Sequence, residues 1–373
     1  MKRIAARALL VLVSSACALG LAEGILRVMH PQQLGVWYSL RNGMVIHPPG
    51  TRIHLANFGQ TVEFNALGMR DVEHQVDKAP GVFRVLVLGD SFMEALQIPL
   101  EASFPRLLER RLRRLTGQPV EVMSGAVSGW GTDDQLEYLA RYGRSFAPDL
   151  VLVAMTLHND VSDNMAERFH TLRDGRVVAR PPVEMPAGEF RLLKVKDYLA
   201  SRSHLVQLAR KYRHLGGMRQ AASRLDSHVL QLLRKEESPS ISRGWALTEG
   251  LMRGVRDEGE RVGGRTAVML IPLALQLYEE TLRSWLATND AVLDELALEQ
   301  PQQRMRDIGA TVGVEIVDLL PAFRDAVKAS GRSLHLVRDG HWNPDGHRLA
   351  AALVADAVTA RGLVPGPPPA PGR

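Results

Sequence analysis

Cysteine is almost missing from this chain: Cys17 stands alone among 373 residues, so no internal disulfide can form. A lone cysteine leaves the redox compartment open, since exported bacterial proteins can do without bridges. Aromatic residues are scarce at 5 %, and they do not interleave with basic residues as on a nucleic-acid surface. The net charge of +5 is therefore assigned to arginines on solvated helix faces, as in LLERRLRRL at 107–115, and nucleic acid is excluded as a partner. A glycine-rich phosphate loop is absent: LGDSF at 88–92 lacks the further glycines and the lysine that cradle phosphates, so no nucleotide cofactor is expected. No histidine pair has the His-x-x-x-His spacing of a catalytic zinc helix, so no metal is expected either.

Long hydrophobic runs are missing too, with one exception. Lys2, Arg3 and Arg7 precede an apolar run over 8–22, interrupted only by Ser14, Ser15 and Gly20. Positive charge followed by an apolar stretch is the pattern of an export signal. Residues 1–28 are read as a signal anchor, with a cleaved signal peptide as the alternative. The positive-inside rule then keeps Lys2, Arg3 and Arg7 in the cytoplasm. The expected location is the inner membrane with the remaining chain in the periplasm or another extracytoplasmic space, or secretion after cleavage. A lipoprotein reading through Cys17 is weaker, because Ser14 stands where such a signal has a branched apolar residue.

What is present is an ordinary globular balance, 45 % hydrophobic and 23 % charged, in a chain long enough to bury a large core. Residues 29–79 carry turn signals such as HPPGT and NALG and read as an extended lead-in with a few short strands. From Phe83 onward strands and helices alternate: FRVLVLG, VEVMSGAV, DLVLVAMTL, RTAVMLIPL and GVEIVDLL are strand-like, and amphipathic segments lie between them. Such alternation predicts a parallel sheet covered by helices on both faces, over 80–362. The alternation lapses at about 161–244, which is read as a largely helical insertion. The proline-rich end, 363–373, is read as a disordered tail. Nothing in the sequence indicates an oligomeric state.

Ligands of open parallel sheets bind beyond the carboxyl ends of the strands. Four polar clusters fall there: GDSF at 89–92, SGWGT at 128–132, LHND at 157–160, and DGHWNPDGH at 339–347 before the last helix. Singly each has a bland reading: Asp90 and Ser91 as a helix cap, Gly129 and Gly131 as turn glycines, His341 as a surface histidine. Jointly, on one rim, they describe a nucleophilic site. Ser91 is the candidate nucleophile, His341 the base that takes its proton, and Asp339 the acid that orients the imidazole. The backbone N–H groups of Ser91 and Gly129 and the amide of Asn159 are the candidate oxyanion donors. His347 repeats the Asp-Gly-His pattern as the rival base but falls within the predicted terminal helix. Glu94, three residues after the candidate nucleophile, is read as a solvated residue, with a helper role as the alternative.

The order of these blocks resembles that of the SGNH (GDSL-type) hydrolase superfamily, over roughly 82–361. The resemblance implies a flavodoxin-like three-layer α/β/α sandwich, with Ser91 as nucleophile, Gly129 and Asn159 as oxyanion donors and His341 as base. EFNALGMRD at 63–71 is similar to the segment preceding the catalytic block in anchored bacterial members. Two positions depart from the pattern: Leu157 stands for the usual glycine, and Arg338 occupies the usual acid position, leaving Asp339 as the nearby carboxylate. The Asp-x-His-Trp arrangement is similar to that of the alginate O-acetyltransferase branch. The expected function is therefore a serine esterase or deacetylase acting on an acyl ester, including O-acetylated carbohydrate, outside the cytoplasm. A polysaccharide O-acetyltransferase using the same site and a catalytically degenerate glycan-binding protein are the alternatives.

Overall fold

The computed structural model describes residues 2–366 apart from 33, 36, 37, 41, 56, 57, 182, 183, 337 and 338, and without the side chains of 2, 38, 39 and 213–226. Arg338 and residues 367–373 of the predicted tail thus lie outside the described residues. The apolar N-terminal run forms helix α1 (Lys2–Met29), which is long and apolar enough to cross a membrane by length and composition.

The lead-in folds as two short antiparallel hairpins, β1 (Tyr38–Ser39) with β2 (Val45–Ile46) and β3 (Arg52–Leu55) with β4 (Gln60–Glu63). Its NALG segment is a tight turn. Asn65 Oδ1 accepts from the N–H groups of Leu67 and Met69 at 3.0 and 2.9 Å. Gly68 has φ +73°, and a Cβ there would stand 2.6 Å from the His47 carbonyl oxygen. Only glycine meets both conditions.

The core begins at β5 (Phe83–Gly89), followed by α2 (Ser91–Glu94), α3 (Phe104–Thr116) and β6 (Val120–Ala126). The chain continues through α4 (Thr132–Tyr138), a π turn, α5 (Arg144–Phe146), β7 (Leu150–Thr156) and α6 (Asp160–Asn164). These are followed by the hairpin β8 (His170–Arg173) and β9 (Arg176–Ala179), then α7 (Ala187–Arg202), α8 (His204–Leu233) and α9 (Pro239–Arg261). The last part comprises β10 (Arg265–Ile271), α10 (Glu279–Thr288), α11 (Gln300–Val312), β11 (Glu315–Asp318), α12 (Leu320–Ser330) and α13 (Pro344–Ala360).

Five strands form one parallel sheet in the order β6-β5-β7-β10-β11. Numbered within the sheet, this is the flavodoxin-like 2-1-3-4-5 order, in which the winding reverses between β5 and β7. Successive side chains of a strand face opposite sides, and both sides are apolar here. Val85, Val87, Val122 and Leu152 meet α3, α12 and α13 through Leu108, Leu112, Phe323 and Val354. Leu86, Leu88, Val151, Val153 and Leu270 join the opposite core, to which α9 contributes Leu251 and Val255 and α11 contributes Met305 and Ile308.

The lapse in alternation contains helices, but also the β8–β9 hairpin, and α9 packs in the layer against the sheet while starting within the span read as insertion. One boundary needs correction. Leu363 and Val364, read as the start of the tail, are buried against the α13 side of the core, because both are apolar and follow the helix directly.

Candidate active site

The reversal between β5 and β7 opens a crevice at their carboxyl ends, and two predicted residues stand on it. Ser91 is the first residue of α2, after β5; Asn159 follows β7. The strand-to-helix turn at Ser91 is tight, since a Cβ on Gly89 would come within 2.6 Å of the Met93 side chain. Asp90 caps α2 by accepting from the Phe92 N–H at 2.9 Å. The cap reading thus applies to Asp90, while Ser91 opens the helix and is only partly buried. Burial raises the Asp90 pKa, although hydrogen bonds from Phe92, Thr156 and Asn159 and the charge of His341 work against it.

His341 arrives from the loop before α13. Its Nε2 is 2.7 Å from Ser91 Oγ and its Nδ1 2.5 Å from Asp339 Oδ1. A carboxylate accepts only, so Nδ1 carries the proton and Nε2 is free to accept from the serine hydroxyl. Half-burial disfavours the Asp339 carboxylate, but hydrogen bonds and charge from His341, with a bond from Gln97, hold its pKa below the ordinary value.

The loop is held from beneath. Trp342 is fully buried between Phe92 and Phe323, with ring centroids 5.3 and 5.2 Å away. The Leu336 N–H donates to the His341 carbonyl at 2.8 Å, and Asn343 caps α13 through the N–H groups of Asp345 and Gly346. His347, the rival base, lies elsewhere. It is 1 % exposed, packs edge-on to Trp342 and accepts from the Phe104 N–H at 3.2 Å. Burial, with the charges of Arg70 and His341, drives its pKa down to about 3.

Gly129 sits in the turn after β6 with φ +82°, is exposed, and has nothing within 4 Å of where a Cβ would stand. Asn159 is more engaged than the sequence suggests. Its Nδ2 donates to Asp163 Oδ2 at 2.8 Å, and its side chain also bonds Asp90. To serve a substrate oxygen, the amide must exchange one of these partners.

Four residues take places around the site that the sequence alone did not give them. Glu94, read as solvated, is completely buried: Oε2 accepts from the Ser128 N–H at 2.8 Å and from the Ser128 hydroxyl, and Oε1 faces His47 Nε2 at 2.6 Å. The correction has a physical cause, for only a cation and donors supplied by distant segments can hold a carboxylate in the core. His47, stacked on Phe64 at 3.9 Å, comes from the lead-in. Arg70 of the same lead-in donates to the carbonyls of Glu94, Ala95 and Ile98, and so clamps the chain just after the nucleophile. Gln97, whose side chain bonds the Asp339 carboxylate, is the fourth. The nearest signal in the sequence was the NALGMRD motif itself.

Residues 232–370 match a family described as SGNH hydrolase-like domain, acetyltransferase AlgX. A protein named arylesterase from Vibrio mimicus is 30 % identical over 112 residues, 28 % of this chain and 56 % of that one, so the chain spans about half the length of this curated relative. An acetyl xylan esterase, AlAXEase, superposes with a TM-score of 0.40 at 15 % identity, covering 74 % of this chain and all of that one. A lipase/acylhydrolase from Enterococcus faecalis gives 0.38 at 13 % identity, covering 75 % and 96 %.

Proposed function

We propose that the chain is a hydrolase of the SGNH type, the kind of domain its residues 232–370 resemble, and that its site cleaves an acyl ester through an acyl-enzyme on Ser91. The observation that carries this reading is the Ser91–His341–Asp339 chain of hydrogen bonds at 2.7 and 2.5 Å. His341 takes the hydroxyl proton as Ser91 Oγ bonds to the ester carbonyl carbon. Asp339 stabilises the imidazolium, and His341 returns the proton to the departing alkoxide. The N–H groups of Ser91 and Gly129, with the Asn159 amide once it turns from a carboxylate, receive the oxyanion. Water then resolves the acyl-enzyme with His341 as base, releasing the acid and free Ser91.

An acyl group borne on a carbohydrate suits the surroundings. A cleft of about 680 Å3 borders the catalytic loop at Leu336 and Gly340, walled by Tyr278, Trp285, Ser333 and His335. None of the catalytic groups lines this cleft, but we read its aromatic and hydroxyl groups beside the catalytic loop as a place for the sugar part of the ester. A sugar hydroxyl replacing water in the second half-reaction makes the same site an O-acetyltransferase, a reading favoured by the acetyltransferase description of the family matched over 232–370. The intact hydrogen-bond chain speaks against a degenerate binding protein.

We assign α1 as a membrane anchor that holds the hydrolase domain outside the cytoplasm, on its apolar length and on Lys2, Arg3 and Arg7 at its start. A fluorophosphonate probe tests the chemistry: the native chain should be labelled and Ser91→Ala should not, with loss of 4-nitrophenyl acetate hydrolysis. Equal labelling of both would end this reading. Release of acetate with water alone, against transfer to an added oligosaccharide, separates esterase from transferase.

A further inference from the structure

Helix α7 turns its apolar side the wrong way for a soluble protein. Ala200 is its one buried residue among those described. Leu192, Val195 and Leu199 recur at helical spacing and are 55 %, 53 % and 42 % exposed, with Tyr198 at 60 % beside them. A surface helix of a globular domain normally faces such a stripe inward. Four basic residues, Arg191, Lys194, Lys196 and Arg202, accompany the stripe, against the acidic Glu189 and Asp197. Between α7 and α8 the apolar surface continues into a crevice of about 380 Å3 that includes Leu193, Val206 and Ala209. Tyr212 on α8 extends it, 68 % exposed.

The position of this stripe says what covers it. Arg27 of α1 donates to the Arg202 carbonyl at 2.8 Å, at the last residue of α7. Glu23 accepts from Ser203 Oγ and from the N–H groups of His204 and Leu205 at 2.9–3.0 Å, capping α8. Glu23 directly follows the apolar run of α1. A helix rises about 1.5 Å per residue, so the α7–α8 corner is fixed where α1 leaves its apolar stretch. An apolar stripe flanked by Lys, Arg and Tyr, joined to the end of an apolar spanning-length helix, has the chemistry of the lipid–water interface.

We propose that α7 is a second membrane contact, lying in the outer interface with Leu192, Val195 and Leu199 among the acyl chains and its basic residues on anionic headgroups. This rests on the reading of α1 as a membrane anchor. Attachment at two points, rather than by α1 alone, sets the orientation of the hydrolase domain to the bilayer.

The test uses the full chain with Cys17→Ser, reconstituted in phosphatidylcholine vesicles with and without phosphatidylglycerol. An environment-sensitive fluorophore is attached singly through Leu192→Cys, Val195→Cys, Val13→Cys within α1, or Ala329→Cys on distant α12. Emission from positions 192 and 195 should shift to the blue, resist aqueous iodide and fall roughly twofold with nitroxide-bearing lipid, more so with phosphatidylglycerol. Position 329 should remain open to iodide. Labels at 192 and 195 that stay open to iodide while 13 is quenched by lipid would overturn this inference and leave the anchor standing. Labels shielded from iodide, unquenched by lipid and cross-linking between copies would replace it with a self-association face. Failure of lipid quenching at 13 as well would overturn both.

Discussion

At the scale of single residues, the hydrogen-bond chain at the β5–β7 crevice assigns different costs to similar substitutions. Proton transfer contributes about 100- to 10,000-fold to such reactions. His341→Ala should therefore lose that much in kcat for 4-nitrophenyl acetate while keeping a native circular dichroism spectrum. His347→Ala should do the reverse: a lowered melting temperature, because His347 is buried against Trp342, with kcat of the folded protein near native. An inactive, fully folded His347→Ala would reverse the assignment of base. Asp339→Asn leaves His341 without its anionic partner, and Gln97, bonded to that carboxylate, should matter less. We expect kcat to decline in the order Gln97→Ala, Asp339→Asn, His341→Ala. An undiminished Asp339→Asn would leave a Ser91–His341 dyad and require another acid.

At the scale of elements, the lead-in and the catalytic block are one unit. Glu94 ends the helix that Ser91 begins, and it holds the Ser128 peptide just before Gly129. Displacement of catalytic groups by about 1 Å can cost up to about 100-fold. Glu94→Gln, which preserves volume, should lower kcat by tenfold or more on that scale, with KM and the pH profile of the base little changed. A native kcat in a folded Glu94→Gln protein would show the link to be structural only.

A second lead-in histidine bears on stability rather than rate. His74 Nε2 is 3.0 Å from Asp71 and its Nδ1 is 2.7 Å from Glu121. Burial alone would lower its pKa, but these carboxylates raise it from 6.5 to about 9. A raised folded value means that the charged form stabilises the fold. The contribution is complete below about pH 6.5 and is lost as pH rises toward 9. The urea midpoint should fall across that window, and His74→Gln should flatten the fall. A pH-independent midpoint in the native protein would contradict the pairing.

For the molecule as a whole, the anchor reading predicts that the native chain resists carbonate extraction while a chain starting at Glu23 does not depend on detergent. Full-length, uncut protein in the soluble fraction would refute it. Glu23 of α1 caps the start of α8 at the α7–α8 corner, so Glu23→Ala in the truncated chain should also melt lower. Loss of a cap costs about 1 kcal/mol, small enough for the sheet domain to remain folded.

How much of this was legible in advance follows from the range of the forces involved. A strand buried on both faces is apolar throughout, so FRVLVLG and DLVLVAMTL announced β5 and β7 locally, whereas the flavodoxin-like arrangement was implied only by the family resemblance. Because ligands lie at strand ends, the same reasoning put Ser91, Gly129, Asn159, Asp339 and His341 on one expected rim, of which Ser91, His341 and Asp339 form one hydrogen-bond chain. Local pattern says which residues prefer water, however, not which partner waits across the fold. Glu94 reads as solvated until His47, Ser128 and Arg70 from other segments surround it, since a carboxylate's burial depends on charges and donors that only the tertiary structure brings. For the same reason Gln97 and the bonds that turn the Asn159 amide were invisible. Leu192, Val195 and Leu199 were equally silent, because a helical apolar stripe is identical in sequence whether it faces a core or a bilayer. Its outward direction was decided by where α8 and the end of α1 meet.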